Sequence, residues 1–95
     1  VQSYIPAFIG MAFNLTPAQL AAVKEILKGS TATKSVCTAI RFIGGPASQN
    51  VLYLKRAKAV CDYAKTQRPT LSTWFQSKPT KVKIFAGKVL MGLRG

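Results

Sequence analysis

The chain has no histidine, two acidic residues, two cysteines and one tryptophan among its 95 residues. Each shortage excludes something. Without His, the commonest general base is missing, and two cysteines alone are too few for a structural zinc site. Glu25 and Asp62 are the only side-chain carboxylates, and both fall in segments that read as helices, so no carboxylate pair for acid–base work is indicated. Ser and Thr are plentiful but lack an activating base. Gly44-Gly45-Pro46 is too short for a phosphate-cradling glycine loop and lacks its strand-to-helix context. The residue chemistry is that of a non-enzyme with no catalytic residue, no metal and no cofactor. A run of ~20 apolar residues, which a membrane-spanning helix needs, is also absent. The first 23 residues carry no Lys, Arg, Asp or Glu, but Pro6, Gly10, Asn14 and Pro17 interrupt them and no basic segment precedes them. This stretch reads as buried structure rather than as a transmembrane segment or signal peptide.

What is present in excess is positive charge. Fourteen Lys and Arg against two acids leave a net charge of +12. Such one-sided charge attracts polyanions: nucleic acid, anionic lipid or an acidic cell-wall polymer. A merely solvated charged surface is the plainer alternative. The length is that of one domain, 1–95. The chain opens on Val1 rather than Met, as a processed mature protein or an excised fragment does. Cys37 and Cys61 fit an exported disulfide better than two free thiols. The bond would close a loop of roughly 25 residues and stabilise the fold by about 3 kcal/mol.

Local patterns give the element order. Tyr4–Phe13 is expected to hold a strand, with Pro6 tolerated only near an edge or bulge. Thr16-Pro17-Ala18-Gln19 is a capping box with Pro at the first helical position, and Leu15 and Leu20 have hydrophobic-staple spacing. Leu20, Val23 and Leu27 recur with helical period, and Gly29 stops a helix over 17–28. Ser35–Phe42 alternates as a strand, with Val36, Thr38, Ile40 and Phe42 on one face and Cys37, Ala39 and Arg41 on the other. A loop follows at 44–48. A second helix is expected from Asn50 to about Thr66, capped by Ser48 or Asn50, with Leu52, Arg56, Ala59, Val60 and Tyr63 near one face. Thr70–Phe75 reads as a strand, Ser77–Thr80 as a turn, and Val82–Phe85 and Lys88–Leu93 as further strands. The class is α+β in the order β-α-β-α-β-β. With Cys37 on the second strand and Cys61 on the second helix, the helix face holding Cys61 is expected to turn to the sheet.

Leu15-Thr16-Pro17-Ala18-Gln19 at the first helix, Asn50 and Leu52 at the start of the second, and Arg56-Ala57-Lys58-Ala59-Val60 within it carry a family pattern. So does the ending Lys88-Val89-Leu90-Met91. Over nearly its whole length the chain resembles the OmpA-like domain, the peptidoglycan-associated C-terminal domain of outer-membrane protein A. It looks like the secreted actinobacterial branch, which places one Cys in the second strand and one after the Arg-Ala-x-x-Val motif. The resemblance implies two helices packed on one face of a small mixed sheet, and a Cys37–Cys61 bond. In the family, an Asp after the second strand and an Arg of the second helix together bind the diaminopimelate of peptidoglycan. Arg56 matches the Arg. The Asp has no counterpart, since Ile40-Arg41-Phe42-Ile43 contains no acid. The spacing from Asn50 to Arg56 is one residue shorter than the usual pattern, and Tyr53 stands where the family has Ser.

The candidate ligand-binding residues are therefore Arg56, Arg41 and Asn50, with Arg41 turning the expected acidic position cationic. Lys55, Lys58, Lys78, Lys81, Lys83 and Lys88 form the candidate basic surface, with Lys65, Arg68 and Arg94 adding to it. For Arg56 the alternative is a solvated or paired helix residue, and for Arg41 an exposed strand residue. Trp74 and Phe75 can stack on a sugar or base, or pack in the core. The reading is an exported, cell-wall-associated binding domain for peptidoglycan or an anionic wall polymer, with no specific nucleic acid expected. Two alternatives stand beside it. One is a structural or partner-binding module, self-associating through the uncharged N-terminal stretch. The other is a cationic membrane-active or non-specific nucleic-acid-binding protein.

Overall fold

The computed structural model describes residues 2–43 and 49–94, with the backbone alone at 49, 50 and 83. Seven elements follow in order: β1 (Gln2–Ile5), α1 (Pro17–Lys28), β2 (Lys34–Phe42), α2 (Gln49–Gln67), β3 (Ser72–Thr80), a 3-10 turn (Lys83–Phe85) and β4 (Val89–Arg94). The sheet order is β1-β4-β2-β3. β2 and β3 run parallel, joined through α2, and the other pairs are antiparallel. Both helices lie on one face of this mixed sheet, the α+β arrangement expected.

Local chemistry explains α1. The Thr16 hydroxyl accepts from the Gln19 amide and the Gln19 side chain accepts from the Thr16 amide, closing the capping box. The buried Gln19 also donates to the Pro6 carbonyl at 2.8 Å, tying the helix start to the exit of β1. On β2, Cys37 and Ala39 point into the core beneath the helices. Val89, Met91 and Leu93 do the same from β4. The core face of α2 is formed by Arg56, Ala57, Val60, Cys61 and Ala64: Arg56 and Val60 of the expected face are buried, while Leu52, Ala59 and Tyr63 are only partly so. The small residues Ala57, Cys61 and Ala64 let the helix lie close to the sheet, and Cys61 bonds Cys37 across a Cα separation of 5.9 Å.

Four expectations are corrected. β1 ends at Ile5, because Pro6 lacks the amide needed to continue a ladder. Residues 9–13 are not buried: Ile9 is 83% exposed and Met11 73%. β3 runs through Pro79 instead of turning at Ser77, which an edge strand permits because an outward amide is not required there. Val82–Phe85 is not a strand, and residues 83–85 form a 3-10 turn. The expected loop at 44–48 and the helix cap at Ser48 lie outside the described residues.

The disulfide joins residues 24 apart in sequence. Replacing both cysteines with Ala is expected to lower the unfolding free energy by about 3 kcal/mol. Urea denaturation of the oxidised parent and the double variant measures this, and equal midpoints would contradict it.

Candidate functional site

Arg56 sits in the core seam of α2 and is only 3% exposed. Its Nε donates to the Ala12 carbonyl at 2.7 Å and its Nη2 to the Gly10 carbonyl at 2.8 Å. The guanidinium lies 5.1 Å from the ring centres of both Phe8 and Tyr53. Burial pushes its pKa below the ordinary value, and neighbouring Tyr53 opposes that shift. An arginine remains cationic in any case. Its charge is directed at the chain's own β1–α1 segment. There it satisfies two carbonyls that no regular element covers, and it fixes a turn in which Gly10 takes a positive φ of 60°.

Arg41 occupies the other end of the expected site. It follows Cys37 and Ala39 on the helix-facing side of β2, opposite Pro79 of β3, and is half-buried. Its Nε is buried and has no acceptor among the described residues. Asn50 lies in the first turn of α2, and its side chain is outside the described residues. Arg41 and Asn50 thus flank the same β2–α2 connection. Arg56 lies nearly two turns further along the helix and faces the β1–α1 segment instead.

The lysines are spread over α2, β3 and the segment that leads into β4. Lys58 pairs with Asp62 at 2.7 Å. Lys55 lies 5.1 Å from the Phe13 ring, and Lys88 lies 5.9 Å from the Tyr4 ring. Lys78 and Lys81 are exposed near the end of β3. The Lys83 side chain is outside the described residues. Arg68, grouped with the lysines on sequence, is structural: it donates to the carbonyls of Leu27, Ser30 and Ala32 at 2.7 to 2.8 Å, capping the end of α1. No local signal marks that role, since the acceptors lie 36 to 41 residues away. Trp74 is 65% exposed, so its side chain is not core.

Because Arg56 satisfies two carbonyls at once, Arg56→Ala is expected to cost about 2–3 kcal/mol. It should also raise amide exchange selectively over residues 8–16. Exchange measured by mass spectrometry checks this, and uniform destabilisation without a local increase would contradict the clamp.

No protein-family model matches the chain, and no curated protein does. Among solved structures it is similar to the OmpA-like domain of FopA1 from Francisella tularensis subsp. tularensis SCHU S4. That likeness has a TM-score of 0.73 at 17% identity, and covers 95% of this chain and 69% of the other. Together with the order β-α-β-α-β-β and the mixed sheet, it shows that this chain has an OmpA-like fold.

Proposed function

We propose that the protein is a non-catalytic, exported binding domain of the cell envelope that takes peptidoglycan, or an anionic polymer attached to it, through Arg41. The observation that carries this reading is the buried Arg41 Nε with no acceptor among the described residues. A buried donor without a partner is costly, and a carboxylate or phosphate would relieve it by a charge-assisted hydrogen bond. Three further facts support the setting. The fold is OmpA-like, the disulfide suits an oxidising compartment, and no described helix is long and apolar enough to cross a membrane. In this reading Asn50 borders the site, Arg56 holds the adjoining segment in place, and Lys55, Lys58, Lys78, Lys81, Lys83 and Lys88 supply long-range attraction.

The ligand group is anionic rather than zwitterionic. The two acids lie elsewhere, Asp62 with Lys58 on α2 and Glu25 exposed on α1. An ammonium group would find no carboxylate beside Arg41. Sedimentation with purified peptidoglycan, with and without its acidic polymers, tests the reading. Arg41→Glu is expected to weaken sedimentation by roughly tenfold, the equivalent of one charge-assisted contact. Undiminished binding would overturn the Arg41 site.

A second reading has its own observation. Ile9 and Met11 are exposed on the segment that Arg56 anchors, with Phe13 beside them at 40%. Apolar side chains held in a fixed turn can mediate self-association. Ile9→Ser with Met11→Ser is then expected to abolish any rise in apparent mass with concentration in analytical ultracentrifugation. A parent that stays monomeric at all concentrations would exclude this reading.

A further inference from the structure

Both helices cover one face of the sheet, and the opposite face is open. Strand register places Tyr4, Gly92, Trp74, Gln76, Lys78 and Arg94 on this open face. A hollow of about 310 Å³ lies in it, within the range of ligand sites. Leu90 and Gly92 line it, Gln2 and Gln76 bring amides to it, and Lys78 and Arg94 bring charge. The Gln76 amide donates to Thr38 at 3.1 Å, which orients a polar pair in the lining. Trp74 stands next to Val36 in register, largely exposed. The chain's two acids are on α1 and α2, in the other layer, so among the described residues this face carries positive charge only.

We propose that the open sheet face binds an anionic polysaccharide, a sugar chain bearing carboxylates. It rests on the envelope reading above for the source of that ligand, and it is a surface separate from Arg41. Each component of the face has a counterpart in such a chain. The apolar face of a sugar ring stacks on Trp74. Ring hydroxyls meet the Gln2 and Gln76 amides, and carboxylates meet Lys78 and Arg94. A single-stranded nucleic acid fits less well, because it stacks successive bases on successive aromatics. The Tyr4 ring on this face is already stacked on Phe85 at 4.9 Å.

Gly92 makes the hollow possible. A Cβ there would sit 3.7 Å from the Val36 carbonyl and 3.8 Å from Gln2 Cγ, in ordinary contact, so the backbone admits a side chain at this lining position. Gly92→Leu is thus a blocking variant that retains, or improves, strand propensity. Lys78→Glu is an exposed charge reversal that serves if Gly92→Leu fails to fold.

Trp74 is the only tryptophan, so intrinsic fluorescence reports this face directly. The full chain is titrated with oligogalacturonate, with neutral chitooligosaccharide and with oligo-dT. Oligogalacturonate is expected to shift Trp74 emission. Gly92→Leu and Lys78→Glu should each weaken that binding by roughly tenfold, while Arg41→Glu leaves it unchanged. The neutral oligomer should bind at least tenfold more weakly than the charged one. Four results would overturn the proposal: no response to oligogalacturonate, unchanged affinity in both sheet variants, tighter binding of oligo-dT lost in the same variants, or an emission shift from raising the protein concentration alone. The two readings fail separately. Wall sedimentation that depends on Arg41, without an oligogalacturonate response, removes the sheet face only. An oligogalacturonate response without wall sedimentation removes the wall reading only.

Discussion

One face of α2 holds the molecule together. Cys61 lies at its middle and bonds Cys37 on β2, fixing the helix to the centre of the sheet. Arg56, before it, grips the carbonyls of Gly10 and Ala12, and Arg68, just past the helix end, grips those of Leu27, Ser30 and Ala32. These two sets of acceptors belong to the segments entering and leaving α1. A single helix therefore positions the second helix through its ends, while Val60 and Ala64 fill the space between α2 and the sheet. Removing either arginine would take from these carbonyls a charge-assisted donor, at a cost that rises where, as at Ala32, the residue is buried.

The shortage of acids explains why these contacts take the form they do. Two carboxylates cannot partner fourteen cations. The chain holds several of its cations with dipoles and aromatic rings instead: Arg56 between Phe8 and Tyr53, Lys55 over Phe13, Lys88 over Tyr4. A carboxylate partner would cancel the charge at a distance, whereas a carbonyl or a ring face solvates it and leaves the net charge intact. The fold is thus stabilised by its cations without giving up the positive field that surrounds it.

How much of this is legible in the sequence depends on how local the cause is. The capping box of α1 lies within four residues, and both its bounds and its hydrogen bonds follow from Thr16-Pro17-Ala18-Gln19. The alternation of β2 places Cys37 and Ala39 inward correctly, because a strand's period needs no tertiary information. The failures have tertiary causes. Pro79 looks like a turn until β3 is known to be an edge strand, paired with β2 as far as Phe42. The uncharged stretch around Ile9 looks like core until Arg56 is seen to hold its backbone while its side chains face outward. At the candidate site, the family pattern points to Arg56 as a ligand-binding residue, yet its acceptors lie 44 and 46 residues away in sequence. No spacing rule connects those positions.

The same geometry bears on how an OmpA-like fold could change its ligand. A site for a zwitterion needs an anion and a cation held at a fixed separation. In the proposed reading Arg41 stands where that anion is expected, and the matching helix position is Arg56, whose charge is directed to main-chain carbonyls. In that reading, an inward-turned helix arginine removes the need for the acid, because nothing remains for the two to share. It also frees the strand position to take the opposite sign without placing two arginines against one ligand group. The inward turn depends on the β1–α1 segment, since Gly10 and Ala12 present the carbonyls that occupy the guanidinium. On the proposed reading, then, the segment from Pro6 to Asn14 acts on specificity without touching ligand: by occupying Arg56 it leaves Arg41 as the cation at the β2–α2 connection, and so selects for an anion alone.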